Sequence, residues 1–233
     1  MDFGQLLEGT LVDRYKRFFA DVRLRNGHVV VTHCANPGSM RNCRPDNARV
    51  WVSRSDNPKR KLRYTWELVE VEDTLVCVNT ARANTVVAEA IERGDVPELA
   101  GYDDVRREVK VGDSRIDIML ARGADGGERC FVEVKSVTLG VGDGVSAFPD
   151  SVTERGARHL RELMKLAAGG TRAAMLFCCG RADTRVMRPA DEIDPVYGAT
   201  LREAAAAGVE LYAYRCEISA EGMWLRERVP VEL

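Results

Sequence analysis

Two short stretches, Arg115-Ile116-Asp117-Ile118-Met119-Leu120 and Phe131-Val132-Glu133-Val134-Lys135, decide how this chain is read. In the first, apolar residues alternate with period two, which places Ile116, Ile118 and Leu120 on one face of a strand and Asp117 on the other. In the second, the valines share a face, and Glu133 and Lys135 share the opposite one. Between them lies Gly123-Ala124-Asp125-Gly126-Gly127, a turn-rich stretch centred on residue 125. An antiparallel hairpin is the expected connection. Pairing about that centre sets Asp117 against Glu133, Ile116 against Val134 and Ile118 against Val132. A slip of one residue would set a carboxylate against a valine, which the two-residue period does not allow.

Two like charges opposite each other destabilise a sheet unless something positive sits between them. A divalent cation fills that role. Two carboxylates, with water and a backbone carbonyl completing the shell, are hard oxygen ligands that suit Mg²⁺ or Mn²⁺ rather than zinc. Lys135, two residues beyond Glu133 on the same face, would then polarise a water or neutralise a phosphate. The competing reading is a plain strand with one wet face, which shows the same alternation.

The 233 residues, 45% of them hydrophobic, are enough for two modest domains with packed cores. No stretch approaches the roughly 20 apolar residues needed to span a bilayer, and Met1-Asp2-Phe3-Gly4-Gln5 does not read as a signal peptide, so a soluble, cytoplasmic protein without a membrane partner is expected. The seven cysteines are scattered without a Cys-x-x-Cys pair, which supports neither a disulfide framework nor a zinc site. The net charge of -2 hides an asymmetry: residues 1–82 hold 14 Lys and Arg against 10 Asp and Glu, whereas the remainder holds 20 against 26. A positive first part points to a polyanion, and an acidic second part to cations.

Through about residue 80 the pattern is strands and turns: Phe18 to Leu24, Val29 to His33, Val50 to Ser53, Tyr64 to Val71 and Leu75 to Val78. Five strands separated by Asn26-Gly27, Asn36-Pro37-Gly38 and Asn57-Pro58 predict a five-stranded barrel of OB type over residues 1–82. From residue 83 the texture changes. Asn84 is placed to cap a short helix through Val86 to Ile91 that stops near Gly94. After the hairpin and a Gly-rich connection, Pro149-Asp150-Ser151 opens a helix to about Ala168 with Val152, Gly156, Leu160, Leu163 and Ala167 on its apolar face. A strand at Ala173 to Cys179, a helix from Tyr197 to Ala207 and a strand from Val209 to Tyr214 follow. The expected class for residues 83–233 is a mixed sheet flanked by helices.

Other residues extend the candidate site. Lys59, Arg60, Lys61 and Arg63, with Tyr64 and Trp66, combine cations that follow a phosphate backbone with rings that stack on bases. A solvated basic turn with Trp66 in the core is the alternative. Arg155 and His159, four apart on the helix after the Glu133 strand, are placed to contact a phosphate, and Glu89 is placed to add a third carboxylate. Arg106-Arg107-Glu108-Val109-Lys110 is expected to be a charged strand edge.

The chain resembles the sugar fermentation stimulation protein A family. The likeness lies in Gly9-Thr10-Leu11 with Arg14-Tyr15-Lys16-Arg17-Phe18, Asn36-Pro37-Gly38-Ser39-Met40, the block from Ser55 to Glu67, Ser114-Arg115-Ile116-Asp117, Phe131 through Leu139, Phe148-Pro149-Asp150 with Arg155-Gly156, and Pro189 through Pro195. The resemblance implies an N-terminal OB-like domain, a PD-(D/E)xK nuclease-like domain, DNA binding with little sequence preference and a link to sugar-utilisation genes. Asp117, Glu133 and Lys135 match that superfamily's acid and Glu-x-Lys positions, with Ile116 where a proline is usual. Glu89 matches its loosely placed helical glutamate.

The expected function is therefore cleavage of a phosphodiester in DNA, or in RNA, at a Mg²⁺ or Mn²⁺ site made by Asp117 and Glu133. The rival from a second class is a DNA-binding regulator that uses the nuclease-like domain as a scaffold. A small-molecule binder has less behind it, since no Gly-x-Gly-x-x-Gly occurs. Self-association as a homodimer is left open by the sequence.

Overall fold

The structure is a computed structural model and describes residues 1–112, 114–123 and 127–233. Six strands come first: β1 (Leu6–Tyr15), β2 (Phe19–Leu24), β3 (Val29–Cys34), β4 (Arg49–Arg54), β5 (Tyr64–Val71) and β6 (Thr74–Cys77). They pair in the order β3-β2-β1-β4-β5-β6, and β3 also pairs with β5, so β1 to β5 close into a barrel with β6 attached to β5. Five strands close as expected, but the sequence reading omits β1 and counts β6 in its place. A bulge between Leu11 and Asp13 shifts the alternation within β1, which hides it. Gly9 interrupts it as well, and is required there: a Cβ would lie 2.6 Å from the carbonyl oxygen of Arg23 on the neighbouring strand. Leu11, Val22, Val50, Val52, Trp66 and Val69 fill the barrel.

Next come α1 (Arg82–Arg93), β7 (Asp104–Val111), β8 (Ser114–Ala121), β9 (Arg129–Val137), β10 (Leu139–Gly140), β11 (Val145–Phe148), α2 (Glu154–Ala168), β12 (Arg172–Cys179), β13 (Val186–Pro189), α3 (Pro195–Ala206), β14 (Glu210–Ile218) and β15 (Met223–Val229). The large sheet runs β15-β14-β12-β9-β8-β7, with β9, β12 and β14 parallel and the remaining pairs antiparallel. It is the mixed sheet expected. A small sheet, β10-β11-β13, lies beside it.

Each face of the large sheet has its own core. Val86, Val87, Ala90 and Ile91 of α1 pack with Ile118, Val132 and Leu176, and the barrel residues Trp51, Leu68 and Cys77 join the same cluster. Barrel and sheet therefore share apolar packing. On the opposite face, Leu160 and Leu163 of α2 and Leu201 of α3 pack with Phe131, Met175 and Phe177. Two expectations for the helices change. Val152 is exposed because α2 begins only at Glu154, after the Thr153 cap. Asn84 is no cap, since Ala81 holds that position and Asn84 lies inside the first turn of α1. Strand β7 is the sheet's edge, and Arg106 and Arg107 on it are exposed, as a charged edge requires. The seven cysteines are free and buried, and among the described residues no helix is long and apolar enough to cross a membrane.

Candidate metal and nucleic-acid site

The ladder between β8 and β9 joins Ile118 to Val132, Met119 to Phe131, Leu120 to Cys130 and Ala121 to Arg129. This is the register expected from a turn centred on residue 125; residues 124–126 of that turn lie outside the described residues. The ladder then ends one step before Asp117 and Glu133. Instead of a backbone partner, Val134 N–H donates to Asp117 Oδ2 at 2.8 Å, so the carboxylate replaces the next rung. The alternation breaks with it. Ile118 and Leu120 face α1, whereas Ile116 packs on the other side with Met119 and Phe131.

Glu133 is buried at the centre of the sheet, between β8 and β12. Its Oε1 accepts from Lys135 Nζ at 2.6 Å and is in close contact with Nδ1 of His159. Arg155 Nε donates to His159 Nε2 at 3.3 Å, a pattern that fits the tautomer with its hydrogen on Nδ1. The helix carrying these two residues is anchored at its start. Thr153 Oγ1 accepts from Gly156 N–H, and Asp194, the cap of α3, accepts from Thr153 N–H. Glu133 Oε2, by contrast, is buried with no hydrogen-bond partner among the described residues.

The remaining support comes from α1, where Asn84 Nδ2 donates to Asp117 Oδ1 at 2.7 Å. Glu89, expected as a third carboxylate, is placed elsewhere: it meets the Met1 amino group at 2.9 Å and Arg93 at 3.6 Å. Five residues along a helix turn the side chain by about 140° net, so Asn84 and Glu89 cannot serve the same face. Asn84 is the residue α1 delivers, and its type read as a cap because Asn favours caps.

The two acids are electrostatically unequal. Burial and then the charge of Glu133 push the Asp117 carboxyl up to about 6, against smaller opposing effects of Val134 N–H, Lys135 and Asn84. Burial also raises Glu133, but the His159 hydrogen bond and the Lys135 charge outweigh it and leave the carboxyl below its ordinary value. One acid is held as an anion and the other resists becoming one.

Asp117, Glu133, Lys135, Arg155 and His159 all line one cavity of 460 Å³, whose far wall is Arg17 and the Asn36-Pro37-Gly38 loop of the barrel. That wall is fixed by Asp150, whose carboxylate accepts from Met40 N–H at 2.9 Å and would lie 2.3 Å from any Cβ at residue 38. Arg17, Asn84 and Asp150 were not expected at the site; each is brought in by long-range packing. The basic loop is separate. Lys59, Arg60, Lys61 and Arg63 are exposed but are not part of this cavity. Tyr64 is half-buried against the barrel core, and Trp66 is wholly buried with its Nε1–H donating to Leu68 O. Trp66 therefore cannot stack on a base; the alternation that starts β5 turns it inward.

The family model described as the sugar fermentation stimulation protein RE domain matches residues 81–222, and the SfsA N-terminal OB domain matches residues 12–78. The chain belongs to the sugar fermentation stimulation protein family. A family homolog from Maricaulis maris is 53% identical over 231 residues, covering 98% of this chain and 97% of its own. One from Pseudomonas aeruginosa is 53% identical over 238 residues and covers both chains in full. The structure of Pyrococcus furiosus SfsA in complex with Ca²⁺ matches with a TM-score of 0.90 at 28% identity, over 100% of this chain and 98% of that one. The fold is thus an OB barrel followed by a mixed-sheet domain that matches the family's RE domain.

Proposed function

We propose that this protein is a DNA-binding phosphodiesterase with little sequence preference, dependent on Mg²⁺ or Mn²⁺, in which residues 1–82 hold the nucleic acid and residues 83–233 carry the reacting site. The observation that carries this reading is Glu133 Oε2. A buried carboxylate oxygen without a partner is costly, and a second, half-buried carboxylate that resists ionisation stands in the same cavity. Among the described residues no three His, Cys, Asp and Glu side chains form a closed cage. Asp117 and Glu133 would instead hold the ion from one side, with water and substrate oxygen on the other, as hard cations at phosphate sites are commonly held. The Pyrococcus furiosus relative is described with Ca²⁺, a cation that takes the same oxygen donors.

Bound there, the ion supplies charge neutralisation at the phosphodiester and acidifies a water molecule. The chain supplies the rest. Lys135 Nζ, fixed by Glu133, places a positive charge where a phosphate oxygen or attacking water sits. Arg155, exposed at the cavity wall, binds the phosphate, while His159 orients Glu133 and Asn84 orients Asp117.

Incubation of purified protein with plasmid and single-stranded DNA and with RNA, in Mg²⁺, Mn²⁺ or EDTA, tests the proposal. Cleavage is expected only with metal, absent in Asp117→Ala and Glu133→Ala, and slowed by about 10²–10³ in Lys135→Ala. Cleavage that persists in both acid variants contradicts the assignment. The Lys135–Glu133 ion pair, which leaves Lys135 already engaged, favours one second reading, a DNA-binding regulator without catalysis. Retained binding with no cleavage of any substrate selects that reading.

A further inference from the structure

We infer that the exposed face of α2 is a track for a phosphodiester backbone, along which the nucleic acid continues past the cavity for about three phosphates. The inference rests on the phosphodiesterase reading only for where the track begins.

The track follows from the helix's sequence, Glu154-Arg155-Gly156-Ala157-Arg158-His159-Leu160-Arg161-Glu162-Leu163-Met164-Lys165. Gly156, Ala157, Leu160 and Leu163 bury one side of α2, and the two leucines pack with Phe131, Met175 and Phe177. Residues three apart lie side by side on a helix, so Arg155, Arg158 and Arg161 form one row on the other side, and all three are exposed. Arg155 lines the cavity that holds Asp117 and Glu133. At about 1.5 Å per residue, the stretch from Arg155 to Arg161 covers about 9 Å. One strand of nucleic acid carries a charge about every 3.4 Å along its axis, so the row meets about three successive phosphates.

The row is also free to bind. Elsewhere in the acidic part of the chain exposed arginines are engaged: Arg115 with Glu108, Arg122 with Glu128, Arg202 with Asp191 and Arg226 with Glu217. Arg158 and Arg161 have no ion pair or side-chain hydrogen bond among the described residues. Glu154 and Glu162 stand four residues either side of Arg158, a spacing at which helical ion pairs form. Yet Glu162 turns to Lys165 at 2.7 Å, and Glu154 remains in the first turn, where the helix dipole favours an acid. Arg155 is bonded to His159 through Nε, which leaves its two Nη groups to grip a phosphate in a fork. A lipid surface fits this face poorly. The apolar side of α2 is taken up by the core, so a membrane would meet cations without the apolar residues that anchor an interfacial helix. A nucleic acid held at the cavity needs only to continue along the row.

The test is a fluorescence-anisotropy titration of the full chain in EDTA, where no hydrolysis runs, with a labelled DNA duplex of about twenty base pairs at several salt concentrations. The double variant Arg158→Ala with Arg161→Ala is expected to bind about tenfold more weakly near 0.1 M salt and to release about two fewer ions. Arg158→Lys with Arg161→Lys should keep most of the affinity, since the charge is retained. Arg202→Ala on α3 is the control and should bind as the unaltered chain does. Should the alanine pair fail to fold, judged by its circular-dichroism melt, Arg158→Gln with Arg161→Gln carries the test. Phosphatidylserine vesicles in a parallel titration probe the lipid alternative. An unchanged affinity and salt slope in the double variant, an equal loss in Arg202→Ala, or vesicle binding that depends on the two arginines while DNA binding does not would overturn the inference. The readouts separate it from the phosphodiesterase reading. Arginine-dependent binding without cleavage of any substrate upholds the track and removes that reading, whereas metal-dependent cleavage with binding unchanged in the double variant does the reverse.

Discussion

Asp117→Asn is expected to raise the melting temperature of the metal-free protein at pH 8 while abolishing its metal-dependent cleavage. The cause is the carboxyl's displacement from 3.8 to about 6 by burial and by Glu133. A group whose folded value lies above its unfolded one is destabilising wherever it is ionised in both states. That cost is fully present above about pH 6 and is relieved as the pH falls from there toward the unfolded value. Two units correspond to at most about 3 kcal/mol, and residual solvation together with the changed hydrogen bonding reduces the gain to about 1–2 kcal/mol. Asn keeps a carbonyl for Val134 N–H, and Asn84 can turn its amide to suit the new side chain. In a chain of this size each kcal/mol moves the melting temperature by about 2–4 °C. Calorimetry in EDTA at pH 8 and pH 5 checks it: the gain should shrink at pH 5, and a loss of stability at pH 8 would contradict the electrostatic reading.

Glu133→Gln is expected to do the opposite and lower stability by about 3 kcal/mol. Here the charge is held down by His159 and Lys135 despite burial, and neutralising it leaves Lys135 without its counter-ion in the sheet interior. The sign of the pH dependence reverses too. A depressed carboxyl contributes stability that is present above its unfolded value of 4.5 and is lost as the pH falls through the lower folded value. The site's own contribution therefore declines as the pH rises from about 4.5 to about 6, where Glu133 is already ionised in both states and the Asp117 cost is growing. Urea unfolding of the two variants, side by side at pH 8, reads both effects. Destabilisation of similar size in both would show that the acids are alike, against the asymmetry described above.

The hairpin that brings the acids together was legible in the sequence because its signal is local: period-two patterns on both strands, a turn-rich centre, and one register that satisfies both. What that pattern cannot show is the parting of the strands at Asp117, since a carboxylate that captures Val134 N–H looks in sequence like any wet-face residue. The basic run around Trp66 leaves stacking and a place in the core both open in the sequence, and the barrel packing decides for the core. Helix geometry carries Glu89 away from the two acids to the Met1 amino group, and Asn84, whose type has a ready explanation as a cap, gives no sequence sign that it meets Asp117. Arg17 and Asp150 illustrate the rest. Their places depend on how a barrel loop meets a helix start more than a hundred residues later, and on a left-handed turn that Lys and Arg rarely form, neither of which leaves a local trace.

The cavity's assignment to a divalent cation is tested most directly by soaking crystals of the protein in Mn²⁺ and collecting anomalous data. The account expects a peak in bonding contact with an Asp117 oxygen and with Glu133 Oε2, the atom that otherwise has no partner, and no such peak in crystals of Asp117→Asn. A saturating soak that leaves the cavity without an anomalous peak, or a peak that remains in place after that substitution, would contradict it.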